Sequence, residues 1–346
     1  MTIKININKK LSFDTSNRPL IIAEISGNHN QNKSKFLDHI KSAHKNGADL
    51  IKIQTYQPED ITLKSKNKNF YIKSGIWKKK NLWDIYKQAC TPYSWHYDAF
   101  KLAKKIGATL FSTPFSERAV DFLEKFDVPI YKLASLEITD LNLVKKIAKT
   151  KKPMIISTGL SSHKEILTCV NLVKQFHKKI ILLHCVSEYP TDNKNADISR
   201  IIKIKKSFKS NFVGLSDHTN DIYSSLAAIP LKIVAIEKHY KTSKKLVSLD
   251  SSFSICPEQL RVLKKFSVKI NESLKPSAKK TIIKKNLRRS IYAKKDIKKG
   301  EKLTSNNIIS LRPRIGICSS NYFKILKKIT NRNIKSNAPI FKNYLK

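Results

Sequence analysis

Cysteine is scarce in this chain. The five present (Cys90, Cys169, Cys185, Cys256 and Cys318) are scattered, odd in number and form no CxxC pair. That argues against a disulfide framework or a structural zinc site and reads as reduced thiols in a cytoplasm. With 8 glycines and 12 prolines, collagen-like and low-complexity sequence is excluded. Uncharged apolar stretches such as 222–231 fall well short of the roughly 20 residues a membrane helix needs. The amino-terminal MTIKININKK has no apolar signal core. The expectation is a soluble, cytoplasmic chain with no membrane partner. Acidic residues are few, 26 against 68 basic ones, and arginine is nearly absent among the latter, with 9 against 59 lysines.

What is present is a large apolar fraction, 40% of 346 residues, enough for a sizeable core and incompatible with a wholly disordered polymer. The net charge of +42 invites a nucleic-acid reading. Base readout and bidentate phosphate contacts favour arginine, however, and no zinc-finger, helix-turn-helix or aromatic RNA-binding signature accompanies the charge. The lysine runs, such as Lys78-Lys79-Lys80, fall largely on the polar faces of helical patterns. Nucleic acid is therefore not an expected partner, whereas a field this positive draws in anionic metabolites.

From about residue 18 to 274, eight short β-rich runs (20–25, 50–55, 108–113, 130–134, 154–158, 180–186, 212–216 and 233–237) alternate with 3.6-period segments at 34–46, 94–106, 117–126 and 163–176. Eight βα units over some 250 residues predict a closed (β/α)8 TIM barrel, an α/β fold. A long insertion, 60–91, follows the second strand and carries Trp77 and Trp83; long loops on that side of a barrel usually serve binding. After Lys275 the composition changes to 20 Lys/Arg and 2 Asp/Glu over residues 276–346. The expected organisation is a barrel at 1–275, a linker at 276–286 and a small β-rich domain at 287–346, with a turn at Asp296–Glu301.

Barrel active sites lie at the carboxyl ends of the strands. Here those ends collect carboxylates, lysines, hydroxyls and imidazoles. Lys52 and Lys132 sit in otherwise apolar runs, so each points into the barrel and needs an anionic partner. That partner is an internal carboxylate or, with Thr113, Ser135 and Ser157 on neighbouring strands, a bound phosphate. His218 and His239 close adjacent strands, and imidazole with water and carboxylate oxygens suits Mn²⁺, Fe²⁺ or Zn²⁺; no cysteine is expected nearby. Such an ion can polarise a carbonyl.

The segments AEISGNHN, GADLIKIQTY, FSTPF, YKLAS, IISTG, GLSDHT and IEKHY, in this order and spacing, resemble the sialic acid synthase family of phosphoenolpyruvate-condensing nonulosonate synthases. RSIYAKKDIKKGEKLT followed by Arg312-Pro313 resembles their carboxyl-terminal antifreeze-like (SAF, β-clip) domain. TYQPEDITL, LWDIYKQACTPYSWH and Ser187 are most similar to the branch that makes pseudaminic acid. The resemblance implies phosphoenolpyruvate contacts by Lys52, Thr113, Lys132, Ser135, Ser157 and Ser216. It implies sugar contacts by Glu24, Gln54, Tyr189 and Asp250, with Glu137 and Ser187 as further candidates. A divalent ion, Mn²⁺ with Mg²⁺ or Co²⁺ as alternatives, would be held by His218 and His239. Arg312 would reach the sugar pocket of the partner in a domain-swapped homodimer.

The implied reaction condenses phosphoenolpyruvate with 2,4-diacetamido-2,4,6-trideoxy-L-altrose to give pseudaminic acid and phosphate by C–O cleavage. Glu24 is the expected base or positioner for water, with a purely sugar-binding role as its alternative. A sibling synthase using another acetamido sugar (the N-acetylneuraminate or legionaminate type) and a non-enzymatic anion- or nucleic-acid-binding protein are the competing readings. Gln31, Ser248-Leu249 and Arg314 depart from the family pattern where glycine, Gly-Pro and glycine are usual, and are expected to alter loop geometry.

Overall fold

Alternation of side chains across a strand decides where each residue of the barrel points. In Leu50–Thr55, Leu50, Lys52 and Gln54 face inward, while Ile51 and Ile53 join the apolar layer under the helices. The same parity runs through all eight barrel strands. Their amino-terminal inward residues are apolar, among them Leu20, Ile22, Phe111, Ile130, Ile155 and Ile181. Their carboxyl-terminal inward residues are polar. The inside of the barrel is therefore greasy at one end and charged at the other.

The computed structural model describes residues 4–210, 212–276 and 285–346, in two units, Met1–Lys275 and Pro276–Lys346. The first unit opens with a hairpin, β1 (Lys4–Asn6) and β2 (Ser12–Asp14), that the sequence did not announce. The barrel follows as β3 (Leu20–Glu24), β4 (Leu50–Thr55), β5 (Leu110–Pro114), β6 (Tyr131–Leu133), β7 (Met154–Ser157), β8 (Ile180–Cys185), β9 (Val213–Asp217) and β10 (Ala235–His239). All neighbours are parallel, and β10 pairs with both β9 and β3 to close the ring. Ile5, Ile7 and Phe13 of the hairpin pack with the inward apolar residues and stop the amino-terminal end of the barrel, Phe13 being fully buried.

Helices α1 (Lys33–Lys45), α2 (Leu82–Ala89), α3 (Tyr93–Ile106), α4 (Glu117–Glu124), α5 (Leu141–Lys149), α6 (His163–Lys174), α7 (Arg200–Ser207), α8 (Tyr223–Ala228) and α9 (Pro257–Ser273) complete this unit. Local chemistry sets several starts. The side chains of Asn32, Ser116 and Asp140 each accept a first-turn backbone N–H, and Ser162 forms a capping box with Glu165.

In the second unit, β11 (Ser290–Ala293) pairs antiparallel with β12 (Ile308–Leu311), and the stretch Asp296–Glu301 lies between them with Gly300 at φ 87°. Isolated bridges such as Ile297 to Ile334 and Lys302 to Ile329, together with a short α10 (Tyr322–Ile325), wrap a core of Ile291, Leu303, Ile308, Ile317, Ile325 and Ile340. Of the linker expected at 276–286, residues 277–284 lie outside the described residues.

Candidate active site

The charged end of the barrel holds two lysines and two glutamates in one buried network. Lys52 Nζ lies 2.7 Å from Glu24 Oε2 and 3.5 Å from Glu237 Oε2, and Lys132 Nζ donates to Glu237 Oε1 at 2.9 Å. Every member is buried. Lys52 also donates to Thr113 Oγ1 at 3.2 Å and Ser216 Oγ to Glu237 Oε1 at 2.9 Å, while Gln54 Nε2 bridges Glu24 Oε1 and Ser26 Oγ, each at 3.0 Å. Both lysines thus have internal carboxylate partners, as one of the two alternatives required.

The four groups do not share the burden of burial equally. Burial pushes the Glu237 carboxyl up, but Lys132 and Lys52 overcome it and hold the group well below the usual carboxylate range. Burial wins at Glu24, which is raised despite Lys52. Likewise burial lowers Lys132, whereas Lys52, set between Glu237 and Glu24, is raised in spite of burial. The easily protonated carboxylate of the network is Glu24. Glu237 was visible only as a strand-end residue. Its signal is parity, because it shares an inward face with His239, but sequence does not reveal which lysine lies across the barrel.

A cavity of about 300 Å³ opens above this network. Among the sequence-predicted residues, Lys52, Gln54, Thr113, Lys132, Ser157 and Ser216 line its floor from β4, β5, β6, β7 and β9. Ser135, Glu137, Ser187, Tyr189 and Asp250 line it from the loops. Glu24 is not on the wall; it lies behind Gln54 and Lys52. Arg312 belongs to the second unit, where its side chain is exposed. Ser157 Oγ, although buried, has no hydrogen-bond partner among the described residues, and neither does Glu137 Oε2. A buried donor or acceptor without a partner is costly, and a ligand supplies one. Burial pushes the Glu137 carboxyl up to about 7.

His218 and His239 converge at the carboxyl ends of β9 and β10, with ring centroids 5.4 Å apart. His218 Nδ1–H donates to the Val186 carbonyl at 2.8 Å, so in the neutral ring Nε2 carries the lone pair. Burial, then the neighbouring His218, lowers His239 well below the ordinary imidazole range and keeps it neutral; its Nδ1 has no partner among the described residues. Burial lowers His218, but Cys185 and the Val186 carbonyl outweigh it and raise the group, so of the two rings only His239 is held neutral. Once His218 gives up its proton, two imidazole nitrogens suit a borderline divalent ion. Among the described residues no three His, Cys, Asp or Glu side chains are grouped to hold a metal, so further ligands would have to be water or substrate. The expectation that no cysteine lies nearby is wrong. Cys185 ends β8 with its Sγ 3.8 Å from His218 Nδ1, and burial, which raises the thiol, is overcome by His218, leaving it at about 7.

Buried groups behind the cavity fix these side chains. Between the strands and helices, fully buried Lys238 bonds the Thr219 carbonyl and lies 3.3 Å from Asp217, which in turn accepts from Ser225; the histidines flank these residues in sequence. Asp250 accepts from the Gly27 amide at 2.9 Å. A Cβ on Gly159 would overlap the Ser187 hydroxyl, so the backbone there can approach only as glycine. Of the departures from the family pattern, Gln31 takes the left-handed conformation (φ 51°) and ties down the strain with bonds from its amide to the Gln88 and Cys90 carbonyls. Ser248, Leu249 and Arg314 adopt no such angle, so glycine is not required of them.

The insertion also enters the site. Trp77 packs 5.9 Å from Tyr189 and 6.1 Å from Phe253, and these rings lie 4.3 Å from His218 and 4.8 Å from His239 respectively. Trp77 belongs to the insertion expected to serve binding, though no contact with the site was assigned to it; Phe253 was not expected there.

Comparison with known proteins follows the same division of the chain. The NeuB family model matches residues 39–279 and the SAF domain model residues 288–346. The chain is 38% identical to pseudaminic acid synthase of Helicobacter pylori over 93% of its length and 96% of that protein. It is 34% identical to N,N'-diacetyllegionaminic acid synthase of Campylobacter jejuni over 93% of its length and 99% of that protein. Among solved structures, the N-acetylneuraminic acid synthetase of Leptospira borgpetersenii in complex with citrate superposes with a TM-score of 0.71 at 28% identity, covering 80% of this chain and 94% of that one. The two matched regions, the closed barrel and the polar layer at its carboxyl end agree: the chain belongs to the NeuB family.

Proposed function

We propose that the barrel condenses phosphoenolpyruvate with 2,4-diacetamido-2,4,6-trideoxy-L-altrose, giving pseudaminic acid and phosphate. The observation that carries the reading is the pair of buried lysines, an unpartnered Ser157 hydroxyl and two converging histidines lining one cavity. The 38% identity to a pseudaminic acid synthase over nearly the whole chain, against 34% to a legionaminic acid synthase, supports the choice of acceptor.

The steps follow from the charges. Lys52 and Lys132 with Glu24 and Glu237 sum to zero, so a substrate with a largely dianionic phosphate and a carboxylate leaves the floor strongly negative. That excess supports a divalent ion, Mn²⁺ in our reading, on His218 and His239, where it would polarise the acceptor aldehyde. Lys52, Lys132, Thr113, Ser135, Ser157 and Ser216 hold phosphoenolpyruvate with its C3 toward the aldehyde carbon. The C3–C1 bond forms as the enol π electrons move to the aldehyde carbon and the aldehyde π pair moves onto its oxygen, which ends with one proton of the incoming water. C2 is left with cationic character. As Lys52 turns to the phosphate, Glu24 loses its nearest cation and becomes a stronger base, able to take a proton from the water that adds to C2. Collapse of the resulting tetrahedral carbon breaks the C2–O bond to phosphate, forms the C2 ketone and passes the remaining hydroxyl proton to the departing phosphate. Gln54, Glu137, Ser187, Tyr189 and Asp250 orient the sugar.

We assign the second unit the task of covering the partner's cavity in a homodimer, with Arg312 reaching the sugar. Exposed Leu136, Leu160 and Val247 on loops of the barrel unit support a covering surface of this kind. Among the described residues no helix is long and apolar enough to cross a membrane, and the cytoplasmic origin of phosphoenolpyruvate supports a cytoplasmic site of action.

The test is phosphate release from phosphoenolpyruvate labelled with ¹⁸O at the C–O–P bridge, with a panel of acetamido sugars. The label should appear in phosphate, only with an acceptor present, and chelation should stop turnover until Mn²⁺ is restored. Label retained in the organic product would overturn C–O cleavage. A preference for N-acetylmannosamine or the legionaminate precursor would overturn the acceptor, and full activity in a chelated sample would overturn the metal.

A further inference from the structure

The cavity has two chemically different halves. Its floor is the ionic network and its hydroxyls. One wall is built by the segment after β4, where beyond Tyr56 come Ile61, Ile72, Trp77, Leu82, Ile85 and Tyr86. In this wall only the Trp77 indole and the Tyr56 and Tyr86 hydroxyls can hydrogen-bond through a side chain, and the stretch from Ile61 to Ile85 offers the indole alone. Its distance from the chemistry is set by Trp77, which lies one aromatic ring away from each histidine.

We infer that this wall selects the acceptor by its deoxygenated end, accepting the C6 methyl of a 6-deoxy acetamido sugar and rejecting a C6 hydroxyl. The inference rests on the condensation proposed above. In that reaction the aldehyde carbon C1 must lie between the phosphoenolpyruvate on the floor and the histidine pair. C6 is the opposite end of the open chain and therefore points away from the floor, toward the wall. A methyl group there leaves water for an apolar surface of matching chemistry. A hydroxyl there would lose its water and meet Ile72, Leu82 and Ile85, none of which has a side-chain partner to offer. An apolar pocket rejects an added hydroxyl only moderately, by factors on the order of 100, so the expected preference is substantial but not absolute.

The experiment compares kcat/KM for 2,4-diacetamido-2,4,6-trideoxy-L-altrose with that for its 6-hydroxy counterpart, in the wild type and in Ile72→Ser and Leu82→Ser. Both positions are half-buried in a peripheral wall, and two separate variants guard against one failing to fold. The wild type should prefer the 6-deoxy acceptor by roughly 10- to 100-fold. Each serine should shrink that ratio by at least about threefold, acting mainly on the KM for acceptor, because it supplies the missing hydroxyl partner. A ratio near one in the wild type, with both sugars turned over, overturns the wall's role and leaves the reaction standing. A ratio unmoved in both variants, or a KM for phosphoenolpyruvate that rises in parallel with that for acceptor, overturns it too. Absence of phosphate release with either sugar overturns the reaction itself and removes this inference with it.

Discussion

Lys132 illustrates what one buried charge does. Its ammonium group is tied to Glu237 on the opposite side of the barrel and faces the cavity floor. Charge-assisted hydrogen bonds are worth roughly 1.5–3 kcal/mol, so Lys132→Ala should raise the KM for phosphoenolpyruvate by about 10- to 100-fold and that for the sugar much less. Steady-state kinetics with each substrate varied in turn checks this, and equal losses would make the lysine merely structural. Removing one partner of a buried pair also strands the other, so the same variant should unfold at visibly lower urea. Glu137 yields a pH dependence. Its folded carboxyl titrates at about 7 through burial, against an ordinary 4.5. The folded chain therefore keeps the proton between those values while the unfolded chain has shed it. The associated stability is fully present below about 4.5 and is lost as pH rises through 7. Urea midpoints at several pH values should show this decline in the wild type and a flatter profile in Glu137→Gln.

At the level of elements, the barrel was readable from sequence because parallel strands buried on both faces are short, continuous and β-branched, and because a lysine inside such a run has only one direction to face. Lys52 and Lys132 were legible for that reason, as were the two histidines at matched strand ends. The hairpin Lys4–Asn6 with Ser12–Asp14 was not, because two three-residue strands set among lysines and asparagines carry no period. Its contribution appears only in three dimensions, where Phe13 fills the barrel end. Phe13→Ala should cost about 3–5 kcal/mol of stability with little change in either KM, measured by urea unfolding alongside kinetics. The approach of Cys185 to His218, and of Trp77 to the rings beside the histidines, was hidden for another reason. A strand end and a loop of some thirty residues can be placed near a site by pattern, but the residues that touch across it depend on how the loop folds back. Gln31 shows the converse, a departure readable in sequence whose cost the structure offsets with two side-chain bonds.

For the whole molecule, the strongly basic second unit was readable from its change of composition, but the role of Arg312 only by resemblance, since nothing in the unit's own periodicity points to a sugar. If Arg312 completes the partner's site, His218→Ala and Arg312→Ala homodimers should both be nearly inactive. Mixing them under subunit exchange places both defects in one site of each mixed dimer and neither in the other. Activity should return to at most roughly a quarter of wild type, and verified mixed dimers that stay inactive would place Arg312 within its own chain.

The apolar stopper at the amino-terminal end of the barrel has a kinetic meaning as well. It makes the barrel a blind well with a single opening, so whatever binds deepest must enter first and leave last. Phosphoenolpyruvate would load before the sugar, and the nine-carbon acid would have to depart before phosphate could escape. Inorganic phosphate should then inhibit competitively against phosphoenolpyruvate and non-competitively against the acceptor, and the reverse pattern would mean that a second way out exists.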